Sequence, residues 1–414
     1  MIKIKHISFS VKKGGAAIAC LRINRCLKKI ANSSCLTPSM LTGKVSFLFS
    51  GECYSFLHFS MVVLERLFAK LCYPNADNKV SLNVFGFFSA GFLDRTDSNI
   101  IHLHWVNNCT VSLKQVSSIT KPVLVSMHDE WWYLDGRHYR DVTSLGCHES
   151  EGFFSRVCRK LYLGYRIKYI QKIINESYFT APSSWLKKQA EEHNPNLKGR
   201  VVVVPNPVDV DVFLRRCFSE SRNFFHLPMD KKVVLFGAHK SGGSLIKGRD
   251  LAFSAINSLI EKSGNQDFLV VTFGGGKPGS YVANNISFFE VGFVANPLHM
   301  SFLYSAANVT LVPSRLEAFG QVAVESIACG TPVIAFKNTG VEDIVIDGET
   351  GFLAQPFFYE SLAHQLEKIL GLSESDCADL ARKCRSTAVD RFSEAAVSKA
   401  FLNIYESLHV EVGA

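Results

Sequence analysis

The sequence is short of charge, and its charge is unevenly placed. Only 20% of the 414 residues are charged against 47% apolar, which excludes a disordered chain and leaves ample material for a core. No acidic residue precedes Glu52, whereas nine basic ones do. The 12 cysteines contain no CxxC pair and no zinc-ligand spacing, so reduced thiols are expected rather than a disulfide framework. The basic, alternating start Met1–Gly15 lacks the apolar run of a signal peptide. The longest charge-free stretch, Val291–Ser314, is interrupted by Asn296, Pro297, His299, Asn308 and Pro313 and makes a poor membrane-spanning helix. A cytoplasmic protein is expected, with at most peripheral contact on the inner face of the membrane. There is no obvious repeat of 20–50 residues, and no GxGxxG with a distal acid that would mark a dinucleotide site.

What is present is alternation. Short, β-branched, nearly continuous apolar runs occur at Ile2–Phe9, Ile100–Leu103, Val123–Met127, Val201–Val204, Val233–Phe236, Leu269–Phe273, Val309–Val312 and Pro332–Phe336. Such runs fit parallel strands covered on both faces, and helical patterns such as Leu251–Lys262 and Gln321–Cys329 lie between them. The class is α/β. Each half begins with a strand and a glycine-bearing loop: Gly14-Gly15 in the first, Gly237 and Gly242-Gly243 in the second. Val204-Pro205-Asn206-Pro207 reads as a linker. Two Rossmann-like domains are expected, 1–204 and 205–389, facing across a cleft. A C-terminal helix of about 390–414 is a candidate to pack back on the first.

The net charge of +8 divides accordingly. Residues 1–180 hold 23 Lys and Arg against 12 Asp and Glu, and the remainder is mildly acidic. A basic half points to an anionic partner. Residues 153–174 carry Arg156, Arg159, Lys160, Arg166, Lys168 and Lys172 and no acid, interleaved with Phe153, Phe154, Val157, Leu161, Tyr162, Tyr165 and Ile170. This pattern is either an amphipathic helix for an anionic membrane surface or a domain helix with a solvated basic face. No nucleic-acid module is present, and no nucleic acid is expected as partner.

The most informative segment is Pro313–Pro332. A loop follows the strand Val309–Val312, Gly320 opens a helix, and Gly330 is placed to cap it. Such a loop is where α/β sheets bind ligands, and the helix start favours phosphate. Glu317 lies in the loop and Glu325 eight positions later in the helix. A carboxylate accepting two hydrogen bonds suits a diol. Two solvated acids would give the same spacing, but Phe319-Gly320 between them and Gly330-Thr331-Pro332 after them make the pattern specific.

On these residues the chain resembles the family 4 retaining glycosyltransferases, which have the GT-B fold. The resemblance extends through Pro205-Asn206-Pro207, Lys247-Gly248, Gly292-Phe293-Val294, Gly340–Ile344 and Asp347–Gly351, covering nearly all of 201–355. It is looser in the first half, through Lys13–Ala16, His102–Trp105 and His128–Trp131, a combination similar to bacterial enzymes of exopolysaccharide and O-antigen biosynthesis. It implies a nucleotide-diphosphate sugar, UDP- or GDP-linked, as donor substrate, a glycan or polyprenyl-diphosphate-linked acceptor, and no cofactor or metal. Glu325 is implied to bind the ribose, Glu317 and the backbone of Phe319 and Gly320 the sugar, and Lys247 the diphosphate. Gly237, Gly292, Phe293 and Val294 are implied to line the donor site. The cation that many members carry just after the glycine at Gly237 is replaced here by Ala238, which leaves His239, Lys240 and Arg249 as substitutes.

In the first half, Gly14 and Gly15 permit close backbone approach to a phosphate or sugar, or simply make a tight turn. His128 is the candidate to bond the donor sugar near the acceptor, with His104 and Asp129 as acceptor-side candidates. His102 and His104 are expected on opposite sides of their strand. Either histidine fits a structural role equally well. A nucleotide-sugar epimerase of the same fold and a non-catalytic GT-B subunit are the alternative readings.

Overall fold

In the computed structural model, residues 1–413 are described apart from 12–13, 42–45, 50–51, 77–79, 141–151, 238–244, 265–266 and 284–285. Lys13, Ala238, His239, Lys240, Gly242 and Gly243 thus lie outside the described residues. The chain divides into two compact units, Met1–Pro205 with Val397–Ala414, and Asn206–Ala396.

The strands of the first unit are β1 (Lys3–Ile7), β2 (Asn32–Leu36), β3 (Ser46–Phe49), β4 (Glu52–Ser55), β5 (Ile100–Leu103), β6 (Val123–Ser126), β7 (Tyr178–Ala181) and β8 (Val201–Val203). Six form one parallel sheet in the order β2-β1-β5-β6-β7-β8, and β3 and β4 pair separately as a hairpin. Its helices are α1 (Gly15–Leu27), α2 (Phe56–Cys72), α3 (Ala90–Asp94), α4 (Leu113–Val116), α5 (Phe153–Glu176) and α6 (Ser184–His193). Serine caps begin several of them: Ser55, Ser89, Ser112 and Ser183 each accept a backbone N–H of the first turn.

The second unit contains β9 (Lys232–Gly237), β10 (Phe268–Phe273), β11 (Gly279–Ala283), β12 (Ile286–Gly292), β13 (Val309–Val312), β14 (Val333–Phe336) and β15 (Gly351–Ala354). They form one sheet in the order β11-β12-β10-β9-β13-β14-β15, parallel except for β11. Its helices are α7 (Phe218–Phe224), α8 (Arg249–Ser263), α9 (Pro297–Ala306), α10 (Gln321–Ala328), α11 (Tyr359–Leu370) and α12 (Glu374–Phe392). Alternate strand residues feed opposite faces. Val233, Leu235 and Val271 pack with Leu303, Val324, Ile327 and Phe392, whereas Val234, Phe236 and Val270 pack with Ala252, Ile256, Leu362 and Leu366. Both faces are covered, which explains the continuous apolar strands.

The last helix, α13 (Glu394–Gly413), starts after a break at Ser393. Val397, Phe401, Tyr405 and Leu408 recur at helical spacing and pack on Ile4, Ile100, Leu124 and Val204 of the first unit.

α5 corrects one expectation. Arg166 is only 3% exposed: its guanidinium donates to the carbonyls of Leu134 (2.8 Å) and Trp131 and lies 4.6 Å from the centre of the Trp131 ring. Arg166, Tyr162 and Ile170 therefore belong to the buried face and not to a membrane-facing one. Among the described residues, no helix is long and apolar enough to cross a membrane.

Candidate functional site

In the second unit, chain connections leave β9 in one direction toward β10 and β12, and β13 in the other toward β14 and β15. The neighbours β9 and β13 therefore form a topological switch point, and ligands of such sheets bind at the carboxyl ends there. Gly237 ends β9, and loop 313–319 leaves β13.

Three loops are stitched together at this edge. Gly248 has φ 66°, and a Cβ on it would fall 1.8 Å from the Pro313 carbonyl oxygen, so only glycine allows this approach. Arg315 donates its N–H to Ile246 (2.7 Å) and its guanidinium to Leu245 O (2.8 Å) and to Asp250 (2.7 and 2.5 Å). The Arg315 hydrogen bond holds the Asp250 carboxyl below its usual range. Gly340 N donates to Glu317 O at 2.7 Å, and a side chain on Gly340 would collide with the Ala318 carbonyl.

This stitching brings Lys247 and Glu317 together. Lys247 Nζ stands 2.6 Å from Glu317 Oε2, and Ser314 Oγ donates to the same oxygen at 3.3 Å. Gly320, at φ 106°, starts α10 without a side-chain cap. One turn on, Glu325 accepts from Tyr304 OH at 3.1 Å. The Phe319 ring is buried against Phe392, so a ligand could meet only its backbone. Gly292 ends β12 on the same sheet edge, two strands from β9, with φ 80° and its carbonyl accepting from Gly274 (2.9 Å). Beyond it Phe293 is 76% exposed, and Val294 packs partly on the core. Arg249 lies over the Phe253 ring, 5.2 Å from its centre.

The first unit has its own switch point, between β1 and β5. Gly14, at φ 93°, precedes α1, and a Cβ on Gly14 or Gly15 would have no atom within 4 Å. His102 and His104 are not on opposite sides: their ring centres are 4.1 Å apart. Side chains alternate with period two, so residues i and i+2 share a face. Both are buried, with His6 from β1 beside them. His104 bonds His6 (2.8 Å) through Nε2 and His128 (3.1 Å) through Nδ1. Burial, reinforced by the neighbouring rings, holds His102 and His104 well below the usual histidine range. Burial outweighs the attraction of Asp129 and lowers His128 to about 4.

Asp129 points elsewhere. It accepts from the Trp131 N–H (3.0 Å) and Trp105 Nε1 (3.1 Å) and pairs with His138 Nδ1 (2.6 Å). Burial works to raise its carboxyl, but His138 and these hydrogen bonds prevail and hold it below its usual range.

Sequence reasoning missed Tyr304, Ser314, Arg315, Asp250 and His6. Arg315 and Ser314 stood inside the quoted segment. Tyr304 had no local signal, because it reaches Glu325 only through the packing of α9 on α10. It also missed α2, whose outer face exposes Phe56, Leu57, Leu64, Leu67 and Leu71.

Two doubly wound parallel sheets define the architecture of the GT-B glycosyltransferases. Solved structures agree on the fold. Sucrose-phosphate synthase from Thermosynechococcus elongatus matches 99% of this chain and 100% of its own at TM-score 0.67 and 17% identity. Anabaena HepE, in complex with UDP-glucose, matches 98% and 100% at TM-score 0.63 and 15% identity. Residues 220–388 match the family of glycosyl transferases group 1. A D-inositol 3-phosphate glycosyltransferase of Nocardiopsis dassonvillei is 31% identical over 196 residues, 44% of this chain and 45% of its own. A lipopolysaccharide 1,2-N-acetylglucosaminetransferase of Salmonella typhimurium is 28% identical over 240 residues, 55% of this chain and 61% of its own. The chain thus spans about half the length of these curated relatives.

Proposed function

We propose that the chain is a retaining glycosyltransferase that needs no metal or cofactor. It moves a sugar from a UDP- or GDP-linked donor to a glycan or polyprenyl-diphosphate-linked acceptor in bacterial surface polysaccharide biosynthesis. The observation that carries this reading is the Lys247–Glu317 pair beside the uncapped start of α10, at the switch point of the second sheet. The HepE complex with UDP-glucose and the lipopolysaccharide relative support the donor and the pathway.

Lys247 has three N–H donors, of which Glu317 takes one. The other two serve the diphosphate, whose charge grows as the bond from sugar C1 to phosphate oxygen breaks. Both bonds to Glu317 use Oε2, which leaves Oε1 for a sugar hydroxyl. Glu325 accepts the ribose diol, with Tyr304 fixing its rotamer. The backbone at Phe319, Gly320, Gly237 and Gly292–Val294 lines the pocket. His128 bonds the sugar, with His104 behind it. The acceptor oxygen bonds C1 on the face the nucleotide leaves, and its proton passes to the departing phosphate oxygen, so configuration is kept without a protein nucleophile.

The exposed faces of α2 and of the first half of α5 would hold the enzyme at the membrane. Phe153, Phe154, Val157 and Leu161 are exposed there beside Arg156 and Lys160. This geometry suits an interfacial helix with its apolar side in the headgroup boundary.

The test is incubation with UDP- and GDP-sugars and a lipid-linked acceptor, followed by NMR of the product anomer. An α-linked donor is expected to give an α-linked product. An inverted product, or donor interconversion without acceptor, would overturn the reading in favour of another mechanism or of an epimerase.

A further inference from the structure

The first unit contains a hydrogen-bond chain that ends on His128. Ser33 Oγ donates to Asn24 Oδ1 at 2.9 Å. Ser33 Oγ also meets His6 Nε2 at 3.0 Å, His6 Nδ1 meets His104 Nε2 at 2.8 Å, and His104 Nδ1 meets His128 Nε2 at 3.1 Å. Asn24, Ser33, His6 and His104 are all buried.

Proton counting gives the chain one direction. The Asn24 oxygen only accepts, so it takes the single Ser33 proton. Ser33 must then accept from His6 Nε2–H. A neutral imidazole carries one proton, so His6 Nδ1 accepts from His104 Nε2–H. His104 Nδ1 in turn accepts from His128 Nε2–H. Burial, with neighbouring Lys5, lowers His6 to about 3, which supports neutral rings throughout.

We propose that Asn24, Ser33, His6 and His104 are positioning residues that lock His128 as its Nε2–H tautomer and leave Nδ1 as a lone-pair acceptor for a ligand hydroxyl. Among the described residues, His128 Nδ1 has no hydrogen-bond partner. A sugar or acceptor hydroxyl donating to it meets an oriented lone pair and not a competing N–H. The claim about the ligand rests on the reading of His128 given above, whereas the claim about the tautomer does not.

His6, His102 and His104 also sit close enough to suggest a metal site, their candidate ligand atoms lying within 4.8 Å of one another. The bonding argues for the relay. The His6 and His104 nitrogens, 2.8 Å apart, are closer than two ligands of one tetrahedral zinc ion, about 3.3 Å. Both His102 nitrogens are engaged, by Tyr405 OH (2.6 Å) and Ser126 Oγ (2.8 Å).

The test is a two-bond proton–nitrogen correlation spectrum of the full chain labelled with 15N-histidine at neutral pH, with His128→Gln assigning that ring. His6, His104 and His128 are expected to show protonated Nε2 and bare Nδ1. A protonated Nδ1, a charged ring or averaging tautomers at any of the three in the native chain would overturn the proposal. Asn24→Leu removes the terminal acceptor and frees Ser33 to donate toward His6, so His128 should lose its single tautomer. Asn24→Asp keeps an acceptor and should keep the native spectrum. An Asn24→Leu spectrum identical to the native one would also overturn it. Donor turnover should fall roughly tenfold in Asn24→Leu, with nucleotide affinity unchanged, and recover in Asn24→Asp. If His128→Gln leaves turnover intact while the tautomers behave as stated, the reading of His128 as a sugar ligand fails and the relay stands.

Discussion

Lys247 Nζ and Glu317 Oε2 are 2.6 Å apart, although 70 residues separate them in sequence. The pair exists because Gly248 and Arg315 hold their two loops in register. The Lys247 side chain is 49% exposed, so the pair adds little stability, at most ~1 kcal/mol. Its value lies in aiming a cation. Lys247→Ala should lower turnover by about 100- to 1000-fold while the denaturation midpoint stays put. Steady-state kinetics beside a urea melt checks this, and unchanged turnover would remove Lys247 from the chemistry.

Gly248→Ala should behave in the opposite way. A Cβ there would lie 1.8 Å from the Pro313 carbonyl oxygen at a φ of 66°, so the backbone must move. A stability loss of about 2 kcal/mol or more is expected, together with weaker nucleotide binding. A melt equal to the native one would show that the two loops are not held by this contact.

The buried histidines give stability a pH dependence of definite sign. Folded His6 titrates at about 3 and folded His128 at about 4, against about 6.5 when unfolded. As pH falls below about 6.5, the unfolded chain takes up protons that the folded one refuses, and stability declines toward pH 4. Urea midpoints should be lower at about pH 5 than at about pH 7. An equal or higher midpoint would mean that the cluster is charged when folded.

The exposed apolar face of α2 and α5 should be needed at a membrane. Cosedimentation with anionic vesicles at low salt is expected for the native chain and reduced for Leu64→Ser/Leu67→Ser/Leu161→Ser. Absence of native binding would limit these helices to an uncovered surface. Changing only Arg166 would not test the idea, because that side chain is buried among Trp131 and Leu134.

Much of the second unit was legible because its signals are local. The strand Val309–Val312 was read at its observed bounds, and α10 differs from the expected Gln321–Cys329 by one residue. β2 was missed because Asn-Ser-Ser-Cys-Leu has little apolar character and becomes a strand only by pairing with β1. The histidine relay was hidden for another reason: His6 and His104 are 98 residues apart in sequence and meet only because β1 pairs with β5. Basic periodicity in α5 overstated its solvated face, since Arg166 and Tyr162 share the stripe that packs inward. α2 carries apolar residues on most of its circumference, a pattern that does not separate a buried face from an outer one, and Leu64 and Leu67 are exposed.

The most direct test of the account is calorimetric titration of UDP and GDP into the native chain and into Glu325→Ala. A ribose diol held by a carboxylate contributes about 1.5–3 kcal/mol. The account predicts that one nucleotide binds the native chain and that Glu325→Ala weakens it by about 10- to 100-fold with an unchanged melt. Binding of equal strength in the variant, or no binding of either nucleotide to the native chain, would contradict it.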